Sequence, residues 1–192
     1  MSSTTGAGQG GSVTATAGES MSISGSGSQA SGLFSTASSS GNAGEITVTT
    51  PTLAMADGGR ISVATEGAGN AGNISLNVGT LTQTGGAQVV SSTTGDGAGG
   101  TLSVTASDLV SISGTGSGLF STASSTGSAG QISVTAAGLA PVPTLTMADN
   151  GTISVATSGA GSAGSILLNA NNLSLTGGAQ VVSSTTGAGQ GG

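Results

Sequence analysis

The string SSTTGAGQGG at residues 2–11 returns as SSTTGDGAGG at residues 91–100 and, letter for letter, at residues 183–192. Such repetition limits the chain to architectures in which one unit stacks on the next, because a short unit can bury its apolar face only against a neighbour. Residues 1–192 read as a single domain of two long repeats, 2–90 and 91–182, with the start of a third at 183–192. A finer punctuation, G-x-x-G, begins at Gly8, Gly41, Gly69, Gly97, Gly127, Gly161 and Gly189, and its intervals of 28 to 34 residues mark six units.

Each unit carries aliphatic residues at fixed offsets from that mark. Five residues after it come Val13, Ile46, Ile74, Leu102, Ile132 and Ile166, and two further on come Ala15, Val48, Leu76, Val104, Val134 and Leu168. Eight residues before the next mark lie Leu33, Ile61, Val89, Leu119, Ile153 and Val181. Between these series sit the pairs Met21/Ile23, Leu53/Met55, Leu81/Gln83, Val110/Ile112, Leu145/Met147 and Leu173/Leu175. Alternation at period two in short segments bounded by Gly, Asn and Asp is a strand signature, and nothing recurs at helical spacing.

The expected fold is all-β: a parallel β-helix, or β-solenoid, with triangular coils of 28–34 residues and three strands per coil. The coils start near residues 8, 41, 69, 97, 127 and 161. Right-handed winding follows from the handedness of parallel crossovers. Six coils spaced by about 4.8 Å would rise roughly 29 Å, with the aliphatic series stacked inside as ladders. The two longest units would hold their surplus in loops, at residues 28–32 and at residues 140–144 with their two prolines.

Composition allows this fold and removes several others. With 38 Gly, 4% charged and 1% aromatic residues, the chain resembles a flexible linker. Disordered segments, however, combine low hydrophobicity with high net charge, whereas here 34% of residues are hydrophobic and few are charged. A narrow triangular interior is filled by Val, Ile, Leu, Ala and Ser alone. Arg60 is the only basic residue against seven acids, and a net charge of −6 repels phosphate backbones and anionic lipid, so nucleic acid is excluded as a partner. No apolar run is long enough for membrane insertion, and the first residues lack the basic and apolar regions of a signal peptide. The absence of cysteine leaves the redox compartment open.

The succession G-N-A-G-x-I-x-V/L, then L-x-M-A-D-x-G, then I-S-V-A-T-x-G-A-G is best developed at residues 41–72 and 127–164. It resembles the repeat region of filamentous-haemagglutinin-like exoproteins, adhesins of the two-partner secretion type. The resemblance implies a right-handed parallel β-helix, export through an outer-membrane partner pore and an extracellular or bacterial cell-surface location. It also implies roles in adhesion, biofilm or cell contact, with a host or neighbouring-cell surface as partner. The repeat motif specifies fold more than activity.

Catalysis needs titratable or nucleophilic groups held together, and the chain has no His, Cys, Tyr, Trp or Lys. No enzymatic activity, cofactor or metal is expected. Asp57 and Asp149 occupy equivalent places three coils apart, roughly 14 Å, and both sit in M-A-D sequences typical of turns. Asp96, in T-G-D-G, is similar to calcium-binding Gly/Asp repeats, but the nonapeptide period is missing and the aligned residues are Ala7 and Ala188. The N-x-S/T sequences at Asn73, Asn150 and Asn172 assign no glycan in a chain this rich in Ser and Thr.

Two outward series remain. Thr14, Thr47, Ser75, Ser103, Ser133 and Leu167 form a flat hydroxyl row, the basis of an alternative reading as an ice-binding or surface-adhesion module. Phe34, Ser62, Val90, Phe120, Ser154 and Val182 include both phenylalanines, which makes Phe34, Val90, Phe120 and Val182 candidates for lateral contact. Neither end shows a capping segment, and both carry the same string, so axial stacking with copies of the chain is expected. The functional expectation is a structural extracellular fibre segment, either the shaft of a secreted adhesin or a head-to-tail filament subunit.

Overall fold

Val, Ile, Leu and Thr in alternation favour extended backbone, and Gly-rich strings end each extended run. In the computed structural model, which describes residues 1–25 and 31–192, these runs are laid coil upon coil, and each strand pairing among the described residues is parallel. The chain is a β-solenoid of about six turns. No helix among the described residues is long and apolar enough to cross a membrane.

Strand β1 (Ser2–Thr4) pairs with the third side of coil 1, which consists of β2 (Val13–Thr16), β3 (Ser20–Ser24) and β4 (Gly32–Ala37). Coil 2 is β5 (Ile46–Ala56) and β6 (Arg60–Thr65), coil 3 is β7 (Ile74–Gln83) and β8 (Gln88–Thr93), and coil 4 is β9 (Leu102–Ser113) and β10 (Gly118–Ala123). Coil 5 is β11 (Ile132–Thr135), β12 (Val142–Ala148) and β13 (Thr152–Thr157), and coil 6 is β14 (Ile166–Leu168), β15 (Ala170–Leu175) and β16 (Gln180–Thr185). Third sides stack in the order β1-β4-β6-β8-β10-β13-β16, and first sides in the order β2-β5-β7-β9-β11-β14.

Two features differ from expectation. In coils 2 to 4 the first and second sides are not separate strands: β5, β7 and β9 run through the corner as single strands of 11, 10 and 12 residues. A register shift between Val78 and Thr80 takes up the corner while pairing continues on either side. The surplus of coil 5 also lies earlier than residues 140–144. It occupies residues 136–141, with a 3-10 turn at Ala137–Leu139, and β12 already begins at Val142. Val142 is fully enclosed and Pro143 faces out, so the ring sits where the strand register pairs Val142 and Thr144 and skips it. Of the other expected loop, residues 28–30 lie outside the described residues, and Gly32 opens β4.

Ile46, Ile74, Leu102 and Ile132 form one ladder and Ile61, Val89, Leu119 and Ile153 another, all at most 1% exposed. The end rungs differ. Val13, Leu33 and Ile166 are only partly buried, and Val181 is 37% exposed rather than part of the closed core. An end rung has a neighbour on one side only, so half of its burial is missing.

Candidate functional surfaces

The corner between third and first sides is built by the G-x-x-G mark. Its backbone is itself a ladder: Ala43 N–H donates to the Asn70 carbonyl at 3.0 Å, Ala71 N–H to Ala98 at 2.9 Å, and Gly99 N–H to Ser128 at 2.8 Å. Coils held this close leave no room for a Cβ. A methyl built on Gly97 would run into the carbonyl oxygen of Gly69, and one on Gly100 into that of Gly72; the same holds for Gly127 against Gly97 and Gly161 against Gly127.

Buried serines clamp this corner, and the aliphatic pattern alone had hidden them. Ser35, Ser91 and Ser121 are fully enclosed, and their hydroxyls accept from the N–H of Gly44, Gly100 and Gly130, each at 2.9 Å. Ser91 Oγ also donates at 3.3 Å to the carbonyl of Gly72, at the start of its own coil, so one hydroxyl joins coil 3 to Gly100 of coil 4. The legible signal was spacing, because each serine stands nine residues before the second glycine of its mark. Outside the corner, Asn42 Oδ1 accepts from Asn70 N–H and Asn70 Oδ1 from Ala98 N–H, both at 2.8 Å.

The corner between second and third sides is different. Asp57 and Gly58 have φ of 51° and 77°, Asp149 and Asn150 of 51° and 66°, so both aspartates are left-handed turn residues. Ser24 and Ser113 each donate to the Oδ2 of the neighbouring aspartate, at 3.4 and 3.0 Å. Asp96 lies at the other corner. Its Oδ1 accepts from Ser125 Oγ at 2.6 Å and Thr126 Oγ1 at 2.9 Å, both from the next coil. Those hydroxyls, Ser125 first, hold its carboxyl below the usual carboxylate range. Among the described residues no three potential metal-binding side chains come together. Asn73 Oδ1 is occupied by Thr101 N–H at 2.8 Å, and Asn172 Nδ2 donates to the Pro143 carbonyl at 3.2 Å.

The outward rows are true columns. Thr14, Thr47, Ser75, Ser103, Ser133 and Leu167 stand in strand register along the first side. Phe34, Ser62, Val90, Phe120, Ser154 and Val182 do so along the third. The second column is not evenly open. Val90 is 6% exposed and so is largely shielded, while Phe34, Phe120 and Val182 are partly buried. The rings lie back over glycines of their own strands: a methyl on Gly118 would come 2.9 Å from Phe120 Cζ, and one on Gly32 would come 3.2 Å from Phe34 Cζ. The exposed apolar area of this row therefore comes mainly from the ring faces, not from Val90. At the end of the solenoid, Leu173 and Leu175 are 51% and 45% exposed.

Comparison of the chain with known protein-family profiles, with curated proteins and with solved structures finds no match in any of the three.

Proposed function

We propose that the chain is a structural segment of an extracellular fibre, a shaft that sets length and stiffness for a secreted, filamentous-haemagglutinin-like adhesin at a bacterial surface. The observation that supports this reading most directly is the continuity of the ladder. Among the described residues, hydrogen bonds pass from each coil to the next through the strands and through the G-x-x-G corner, which ties the coils together along the axis. A chain with one basic residue, no histidine and an interior of small aliphatic side chains is suited to spacing other parts, or its own copies, apart.

The half-exposed Leu173, Leu175 and Val181 on the last coil give a further coil, from the same fibre or a second copy, an apolar surface to cover. Electron microscopy of the purified chain tests this: rods or axial fibres built on a repeat near six rungs, roughly 29 Å, are expected. Particles without an elongated axis would sink the shaft reading, and immunogold labelling confined to the interior of producing cells would sink its extracellular part.

A second reading has its own observation, the in-register hydroxyl column from Thr14 to Ser133 with Thr16, Thr49, Asn77 and Thr105 standing beside it. A flat array of this kind suits contact with an ordered water lattice or a polar surface. Thermal hysteresis of the purified chain would favour it, and ordinary freezing behaviour would remove the ice-binding form.

A further inference from the structure

We propose that the outer face of the third side is a pairing surface for a second copy of this chain. The two solenoids would lie side by side, axes antiparallel, related by a two-fold axis running along the strand of coil 3. Three outward columns make up this face, headed by Gly32, Phe34 and Thr36 in coil 1 and in strict register through coil 5. Coils 1 and 4 present the bulky pair Phe and Thr, coils 2 and 5 the small pair Ser and Ala, and coil 3 an intermediate Val and Ser.

A two-fold through coil 3 exchanges coil 1 with coil 5 and coil 2 with coil 4. Every bulky rung then meets a small one. Phe34 faces Ser154 of the second copy and Phe120 faces Ser62. In the neighbouring column Thr36 faces Ala156 and Thr122 faces Ala64. In the column nearest the turn, Arg60 faces Gly118, over which the ring of Phe120 lies, so a guanidinium is set on an aromatic face. Gln88, Val90 and Ser92 face themselves, as a two-fold contact requires. No other in-plane two-fold through a rung in the middle of the stack opposes large with small in this way. Placed through coil 4, the axis would put Val90 against Ser154 and Phe120 against itself.

Charge favours the same face. Among the fifteen positions of these three columns Arg60 is the only charged residue, with Glu66 at the rim just past β6, whereas the chain as a whole carries −6. This side lets two copies approach without carboxylates meeting across it, and it carries both aromatics. Its size sets the strength. Five rungs of six residues cover about 480 Å² per copy, a total below the roughly 1,200 Å² of a standard stable interface. Pairing of this segment is therefore weak. It gains with coil number, since the large-small alternation recurs every three coils.

Position 92 lies on the axis and tests the proposal. Ser92→Glu and Ser92→Lys each place like charges against each other across the two-fold, so each variant alone should sediment as a monomer at concentrations where the native chain associates. An equimolar mixture should associate at least tenfold more tightly than either variant alone, a gain that a folding defect cannot produce. The native chain has no cysteine, so Ser92→Cys supplies a single thiol. A short bis-maleimide should link two copies at least fivefold faster through Cys at 92 than through Ser75→Cys on the first side. Equal linking at the two positions, or no gain in the mixture, would overturn the pairing. Neither result bears on the axial shaft, whose contacts lie on the coil ends.

Discussion

Among the described residues glycine lines two corners of the coils, for different reasons. At the corner between third and first sides the backbone has no unusual φ, yet the coil below stands so close that Gly97 and Gly100 meet its carbonyls wherever a Cβ would go. At the corner between second and third sides clearance varies: a Cβ on Gly59 would meet the Ile23 carbonyl, but the left-handed turn position beside it is open. Gly58 has nothing within 4 Å of its would-be Cβ, but its φ is 77°. The first corner is constrained at each mark from Gly41 onward by a neighbour a full coil away, whereas Gly58 and Gly86 of the second are constrained by their own dihedral angles. The second therefore accepts Asp and Asn, as at Asp57, Asp149 and Asn150, and the first repeats glycine at its marks from Gly41 to Gly192.

The same chemical change at the two corners should have unequal consequences. Gly97→Ala forces two coils apart and should cost at least about 3 kcal/mol, with loss of protection at the flanking corner amides in hydrogen exchange. Gly86→Ala, at φ 80° with its nearest contact at 3.8 Å, should cost about 1–2 kcal/mol, the left-handed penalty alone. Equal losses in denaturant midpoint would break the distinction between clearance and conformation.

Ser91→Ala sharpens the crowded corner. It strips Gly100 N–H of its enclosed partner and should cost about 1–3 kcal/mol. Threonine would not restore it, because the added methyl enters the same closed space. Gly58→Asn tests the open corner. It recreates the Asp-Asn pair that coil 5 already uses at Asp149 and Asn150, and its midpoint should stay within about 0.5 kcal/mol of the native chain.

The smallest effect belongs to Asp96. Its carboxyl titrates below its ordinary value of 3.8 because Ser125 and Thr126 donate to the charged form. It therefore contributes stability above that ordinary value, and the contribution is lost as pH falls through the lowered one. Asp96→Asn should flatten this slight acid-side loss in a pH series of melting temperatures. A slope unchanged by the substitution would show that the two hydroxyls do not act on the ionised group.

Much of the architecture was legible because a solenoid repeats its constraints. The ladders through Ile46, Ile74 and Leu102 and the turn role of Asp57 and Asp149 follow from spacing and residue type. The serine clamps were not legible from hydrophobic pattern, since Ser91 looks like one more polar strand residue until Gly100 N–H is found against it. The merged strands β5, β7 and β9 were missed because a corner that bends without breaking its hydrogen bonds leaves no Gly-rich interruption. The end rungs went astray for a related reason: Val181 has the same letter context as Val89, and only its missing neighbour exposes it.

The sequence by itself determined the period, the parallel ladders and the choice of small aliphatic side chains for the interior, because these depend on offsets along one chain. Only the tertiary structure decided why the G-x-x-G marks from Gly41 onward must be glycine, which hydroxyls are enclosed and how the phenylalanine rings lie on the third side. Those depend on distances between residues some 28 positions apart, which the stacking of coils sets and no local pattern records.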